Sequence, residues 1–215
     1  MPVMPMFPLG SVLFPSMPLG LRVFEPRYLR LMADVLEAGE PSFGVVLIER
    51  GFEVGGGDGR FRHGTLASIL EIKEQEDMLV VAARGDQRIV VREWLDDDPY
   101  PRADVELLEP LPWTDELAEL RATCETKVRR CLAIASEFSE ATWPADVELS
   151  DDPVDGSWQL AAIAPLGAMD QIALLQSATL EAMLTRLIRE TDDALELIEL
   201  QIAVQPPDDG SDHPS

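Results

Sequence analysis

Few side chains in this sequence have the chemistry of a catalytic nucleophile, a general base or a soft metal ligand. The histidines are His63 and His213, and the lysines are Lys73 and Lys127. A histidine-dependent triad or a His/Cys zinc site needs several such groups in one place. A Ser–Lys dyad would have to use a lysine that lies in a run of charged residues. The sequence therefore predicts no catalytic residue and no metal ligand.

Two segments resemble ligand-binding loops but do not complete their patterns. Gly55–Gly59 is rich in glycine, but neither lysine follows a glycine and a predicted strand comes next, so we expect a hairpin loop. Asp151–Gly156 resembles the start of an EF-hand calcium loop. Pro153 occupies its third position, and Ala162 stands where the bidentate glutamate belongs. We therefore predict no bound cofactor.

The cysteines and the N-terminal segment indicate a cytoplasmic protein. Cys124 and Cys131 lie seven residues apart in a helical pattern, which separates their Cα atoms by about 10 Å, too far for a disulfide. We expect two buried free thiols, which are typical of a reducing compartment. Met1–Leu21 carries no charge, but its five prolines exclude a signal peptide or a membrane-spanning helix.

The charge balance restricts the class of partner. Forty acidic residues against seventeen lysines and arginines leave a net charge of −23. Such a chain repels phosphate backbones and anionic lipid, because binding to nucleic acid depends on basic side chains that displace counterions. We predict that neither nucleic acid nor a membrane is the partner.

The first half of the chain predicts a sheet with one helix. The helix begins at Pro26 and ends at Gly39, and Gly51–Arg62 reads as a loop. Short polar connections, among them Gly85-Asp86, predict hairpin turns and an antiparallel sheet that curls into a barrel-like form. The predicted strands are Val3–Phe7, Leu19–Phe24, Phe43–Glu49, Thr65–Lys73, Met78–Arg84, Gln87–Trp94 and Ala103–Leu108.

The second half predicts helices. Thr114 is the expected N-cap of a helix that runs to Phe138, and Ser157 the expected cap of a short helix that Pro165 stops. One helical turn follows near Met169–Leu175, then a long amphipathic helix from Ser177 to Val204. The chain is thus expected to be of the α+β class, with a β lobe over 1–112, an α-helical lobe over 113–204 and a disordered tail over 205–215.

Several motifs resemble the substrate-binding N-terminal domain of Lon proteases, in particular its stand-alone bacterial members. The most specific is MFPLGSVLFPSMPL at Met6–Leu19, followed by VFEPRY at Val23–Tyr28. Further matches occur in the family's order at Phe43–Leu47, His63–Ile69, Gly85–Arg88, Pro99–Val105, Leu174–Gln176 and Arg186-Leu187. The resemblance covers residues 2–204 and implies a PUA-like β pseudo-barrel with one helix, followed by an α-helical bundle.

The resemblance implies a non-catalytic protein-binding module without the ATPase and peptidase domains of full-length Lon. Its expected partner is an unfolded or degron-bearing polypeptide. The alternatives are a scaffold for one dedicated protein partner, and small-molecule or RNA binding through the PUA-like lobe. We expect four aromatic residues, Phe7, Phe14, Phe24 and Tyr28, to fill the core. By residue type, the candidates for contact with a polypeptide at the mouth between the lobes are Met4, Met17, Trp113 and Trp158.

Overall fold

The fold is described from a computed structural model, which defines residues 2–49, 59–138 and 143–204. The strands are β1 (Val3–Leu9), β2 (Pro18–Val23), β3 (Ser42–Glu49), β4 (Gly59–Gln75), β5 (Met78–Trp94) and β6 (Arg102–Leu107), with α1 (Pro26–Glu37) between β2 and β3. A 3₁₀ turn (Asp115–Leu117) then leads to α2 (Ala118–Phe138), α3 (Pro153–Ile163), α4 (Ala168–Leu175) and α5 (Leu180–Val204). The predicted α+β class is confirmed. Residues 50–58, which include most of the glycine-rich segment, and the predicted tail at 205–215 lie outside the described residues.

The sheet is mixed, which corrects the prediction of an antiparallel one. Its strands follow the order β2-β5-β4-β3-β1-β6, and β5 also pairs with β6, so that the pairings from β5 to β6 close into a ring. β1 and β3 are parallel, whereas the other pairs are antiparallel. The chain between β1 and β3 contains β2 and α1, which is long enough for the crossover that a parallel pair requires.

The predicted hairpin turn at Gly85-Asp86 is wrong, because β5 runs through both residues as one strand. Its first half pairs with β2 and its second half with β6. The Gly85 N–H donates to the Met17 carbonyl at 2.9 Å, and a Cβ at Gly85 would overlap the carbonyl oxygen of Phe14. The glycine therefore marks a close approach of two backbones, not a reversal of the chain.

The buried side chains form two clusters. The larger one contains residues of the strands, α1 and all four later helices, so it crosses the proposed lobe boundary at residues 112 and 113. That boundary stays a prediction. The smaller cluster contains Met4, Met6, Val46, Ile89, Val91, Ala103 and Val105, which come from β1, β3, β5 and β6.

Of the four aromatic residues expected in the core, three are buried and one is not. Phe7, Phe14 and Tyr28 have at most 8% of their surface exposed. The expectation for Phe24 is wrong, since its side chain is 65% exposed. Phe24 follows the last residue of β2 and precedes α1, so it belongs to the connection between the two elements.

The helix starts differ from the predicted ones. Ser157 lies inside α3 and is not its cap; α3 begins at Pro153, and the Asp152 carboxylate accepts the N–H groups of Val154 and Asp155 at 2.9 and 3.0 Å. Thr114 stands at the N-cap of the 3₁₀ turn, but its side chain forms no capping hydrogen bond. None of the described helices is long and apolar enough to cross a membrane.

The helix pair α2 and α5 holds both cysteines. Cys124 and Cys131 lie on α2 as buried free thiols, as the sequence predicts. Burial raises the pKa of the Cys124 thiol to about 12, and burial also raises the pKa of Cys131. Lys127 of α2 joins Asp192 of α5 through a bond of 2.6 Å.

Both tyrosines should titrate abnormally. Burial raises the pKa of Tyr28, and burial together with a 2.7 Å hydrogen bond to Asp34 raises the pKa of Tyr100 to about 12. The native state favours the protonated phenol, so this contribution to stability is full below the unfolded value of 10.0 and disappears as the pH rises through about 12.

We therefore expect the tyrosinate absorbance of the folded protein to rise at higher pH than that of the unfolded chain, with Tyr100 ionising near pH 12. The same titration in urea should show both phenols near the unfolded value of 10.0. The variant Asp34→Asn removes the carboxylate that opposes ionisation, so it should lower the pKa of Tyr100 while Tyr28 stays abnormal. A full step near pH 10 in the folded wild type would contradict the burial of these phenols.

Candidate functional site

A cleft of about 310 Å³ lies where the strands meet the helices, and we name it the boundary cleft. Its lining from the β part includes Pro15, Asp86, Arg88 and Leu108. Its lining from α3 consists of Val154, Asp155 and Trp158. The cleft therefore depends on the contact between β5, the segment after β6 and α3.

Arg88 of β5 connects the sheet to the end of α4. Its side chain is buried, and Nη1 donates to the carbonyl oxygens of Leu175 at 3.0 Å and Ser177 at 2.7 Å. A cation is favoured there because the C-terminus of a helix carries partial negative charge. Burial lowers the pKa of Arg88 from its usual value, but an arginine with such partners stays charged. Arg88 therefore joins the strand and helix walls next to the cleft.

Trp158 forms the helical wall of the boundary cleft. Its side chain is 3% exposed, and its ring centroid lies 6.0 Å from that of Phe14. The Arg88 Cζ atom lies 5.3 Å from the centre of the indole ring, within the range of a cation–π contact. Most of the indole surface is therefore used in packing, and only its margin faces the cleft.

The rim of the boundary cleft is acidic. Asp155 accepts a hydrogen bond from Ser16 Oγ at 2.6 Å and lies 3.5 Å from the Arg84 guanidinium, while Asp86 accepts one from Ser68. Glu109 is exposed and forms no ion pair with the described residues. An apolar floor below carboxylates suits an apolar side chain, alone or next to a positive group.

Reactive groups do not converge on this cleft. Among residues 2–49, 59–138 and 143–204, no group of three histidine, cysteine or acidic side chains is placed to hold a metal ion. His63 is half-buried in β4, where burial first and the charge of Arg88 second lower its pKa, so it is neutral at neutral pH. The chemistry that the cleft offers is non-covalent contact.

The four side chains predicted to contact a polypeptide lie in different surroundings. Met4, Met17 and Trp158 are buried, and Trp113 is partly exposed. Trp158 lines the boundary cleft, while Met17 and Trp113 belong to the same large cluster without lining it. Met4 belongs to the smaller cluster and lines a separate cleft of about 290 Å³ near Tyr100. A binding role for the four stays a prediction.

Sequence reasoning missed Arg88 and Leu108 as parts of the site. Arg88 lies in the motif at Gly85–Arg88, which carries part of the family resemblance, so that match was the available signal. Leu108 is the last residue of a predicted strand, and nothing in the sequence distinguishes it from Leu107 as a residue of the site.

Comparisons with known proteins agree on one family. The model of the ATP-dependent protease La (LON) substrate-binding domain matches residues 3–193. A Lon N-terminal domain protein from Xanthomonas campestris has 28% sequence identity and a TM-score of 0.64, with 88% of this chain and 98% of that chain covered. The N-terminal domain of a Mycobacterium avium complex Lon protease shares the fold, with a TM-score of 0.62 at 16% identity over 89% of this chain and 99% of that chain.

Curated relatives are much longer than the matched part. A Lon protease of Syntrophus aciditrophicus is 25% identical over 212 residues, which are 95% of this chain and 26% of the relative. A Lon protease of Dictyoglomus thermophilum is 32% identical over 109 residues, 50% of this chain and 14% of the relative. The chain thus spans about a quarter or less of these relatives.

Proposed function

Because this chain belongs to the family of ATP-dependent protease La (LON) substrate-binding domains, we propose that it is a non-catalytic module that binds exposed apolar segments of unfolded or degron-bearing polypeptides. The observation that carries the proposal is the family match over residues 3–193. The proposal includes a cytoplasmic location and an adaptor role, in which the bound polypeptide is presented to another protein.

The boundary cleft supports this function by its shape and lining. Pro15, Leu108 and Val154 give it apolar walls, and its volume of about 310 Å³ suits one large apolar side chain. Burial of such a side chain contributes about 2 kcal/mol, so the cleft supplies part of the affinity and contacts along the rest of the segment must supply the remainder. The acidic rim also favours clients in which a basic residue neighbours the apolar one.

The test compares a fluorescently labelled, permanently unfolded polypeptide with its folded form at two salt concentrations. We expect micromolar binding of the unfolded form that changes little with salt, because apolar burial is screened far less than surface charge. Equal affinity for both forms, or none for either, would contradict the proposal.

Neighbouring leucines provide a matched pair of variants for the cleft. Leu108 lines it, whereas Leu107 is 40% exposed and does not. Leu108→Asp places a carboxylate in the cleft and should weaken binding of the unfolded polypeptide by about tenfold. Leu107→Asp should leave the affinity unchanged. Equal affinities of the two variants would mean that the client binds elsewhere on the domain.

One observation favours a second candidate function, a scaffold for one dedicated partner. Leu197 and Leu200 lie three residues apart on α5, so they share a helix face, and both are 62% exposed. A partner that co-purifies in a fixed ratio and is lost from a Leu197→Asp, Leu200→Asp variant would favour the scaffold. If the chain binds unfolded polypeptides instead, that variant should bind the unfolded polypeptide as well as the wild type does.

A further inference from the structure

The outer edge of β2 is unpaired along its whole length in the described sheet. β2 pairs with β5 alone, whereas every other described strand has at least two neighbours. The Gly85 N–H donates to the Met17 carbonyl at 2.9 Å, so Met17 and Gly85 form a hydrogen-bonded pair. Every second residue pair after it along β2 and β5 is then hydrogen-bonded as well. With Leu19 opposite Ala83 and Leu21 opposite Val81, the backbone groups of these leucines face β5. Those of Gly20 and Arg22 therefore face away from the sheet.

These outward backbone groups have no partner in the described parts of the chain. No described residue forms a hydrogen bond with the outward N–H or C=O of Gly20 or Arg22. A Cβ built on Gly20 would meet no atom within 4 Å, so the face of the strand is also open at this residue. Pro18 also fits this placement, since a proline is tolerated where the missing N–H would face solvent.

Arg22 gives this edge a positive charge. Its side chain is exposed and forms no ion pair or hydrogen bond with the residues that the structure describes. Its basic neighbours across the sheet are paired, Arg84 with Asp155 and Lys73 with Glu71. An unpaired cation in a chain of net charge −23 points to an acidic group on the partner.

We propose that the outer edge of β2 binds an extended segment of a polypeptide client as an added strand, with an acidic residue of the client beside Arg22. This inference rests on the proposed function and specifies how the client is held. Backbone pairing gives affinity that tolerates many sequences, and contacts of alternate side chains give selectivity. Pro18 and the charge of Arg22 restrict indiscriminate pairing, as edge strands require.

A client fits this edge better than a second copy of the chain does. Two copies would bring together two net charges of −23 and two unpaired Arg22 side chains. Along the chain, β2 begins at Pro18, three residues after Pro15 of the boundary cleft.

The other exposed edge of this part of the sheet is less suitable. The end of β4 beyond Ile69 pairs with β5 and has no described strand on its other side. Its pairing with β5 shifts register between Ile69 and Glu71. Such a bulge twists an edge away from regular pairing, whereas β2 keeps one register from Pro18 to Val23.

The central test compares two substitutions at Gly20. Gly20→Pro removes the outward N–H and places a ring on that side, while Gly20→Ala adds a methyl group in open space and keeps the N–H. The probe is the labelled, permanently unfolded polypeptide. We expect Gly20→Pro to bind it at least tenfold more weakly than the wild type and Gly20→Ala to bind it equally well, with thermal unfolding as the check that both variants fold.

A second measurement varies the peptide and needs no substitution at Gly20. The probes are short peptides of alternating valine and threonine with one central glutamate or one central lysine. The wild type should prefer the glutamate peptide at least threefold, Arg22→Glu should reverse this preference, and N-methylation of alternate backbone nitrogens should abolish binding. This peptide comparison tests whether the client pairs with β2 even if Gly20→Pro does not fold.

The outcomes separate the inference from the function on which it rests. Equal binding of the unfolded polypeptide by wild type and Gly20→Pro, with no effect of N-methylation, would overturn the role of the edge and leave the proposed function intact. No binding by the wild type would overturn both. A dimer in sedimentation that Gly20→Pro dissociates would show that the edge holds a second copy, and would also overturn the inference.

Discussion

Replacement of Trp158 by alanine is expected to lower the free energy of unfolding by about 4 kcal/mol. The side chain is 3% exposed and packs between Phe14 and Arg88, so its removal leaves a cavity between these two side chains. Urea denaturation followed by circular dichroism measures the loss. The matched control is Trp113→Ala, a tryptophan that is only partly buried and should lose roughly half as much.

The variant Trp158→Phe separates packing from binding. It keeps an aromatic ring against Phe14 and should retain most of the stability, while it shortens the part of the side chain that reaches the boundary cleft. If Trp158→Ala lost less than about 1 kcal/mol, the indole would not be a core residue. A client-binding role would then account for it better than packing does.

Replacement of Arg88 by methionine should cost about 3 kcal/mol. The carbonyls of Leu175 and Ser177 would lose a charged donor, and each bond of this kind contributes about 1.5–3 kcal/mol. Removal of a buried charge offsets part of that loss, because the guanidinium no longer has to be desolvated. Methionine keeps an unbranched stem against Trp158, so the change isolates the charged head.

Arg62→Met is the control for this second substitution. Arg62 is an exposed arginine of β4 with one bond of 3.2 Å to the Arg92 carbonyl, and its loss should be within about 0.5 kcal/mol. Hydrogen exchange should show faster opening of the amides at the end of α4 in Arg88→Met alone. Similar denaturation midpoints of the two variants would mean that Arg88 does not hold β5 to α4.

Local patterns predicted the elements well and their long-range pairing poorly. Hydrophobic periodicity located α1, α2 and α5, and apolar runs located β1 and β3, because each such pattern depends on one segment. The parallel pairing of β1 with β3 depends on two segments separated by β2 and α1, and neither carries a local signal for it.

Some predictions were wrong because one residue type can have two structural roles. Glycine is typical of turns, but Gly85 lies in a strand where the Phe14 carbonyl comes close, and only the folded structure reveals that contact. Ser157 is an acceptable cap, yet Asp152 before Pro153 is the better one, because proline is favoured in the first turn of a helix.

The candidate site was the least predictable part. Trp158 could be chosen by residue type, but Arg88 acquires its role from carbonyls 87 and 89 positions away in the chain. The free edge of β2 likewise follows from the ladder between β2 and β5. Neither the hydrogen bonds of Arg88 nor the free edge of β2 can be predicted from composition or periodicity.

The buried thiols of α2 determine how the protein responds to oxidants and alkylating reagents. The reactive form of a cysteine is the thiolate, and with burial raising the pKa of Cys124 to about 12, almost none forms at neutral pH. Peroxide should therefore spare both thiols of the folded chain, and a thiol reagent should modify them only in those moments when α2 separates from its neighbours. The rate of that modification therefore measures how often the helices open, in the wild-type protein and without an added label.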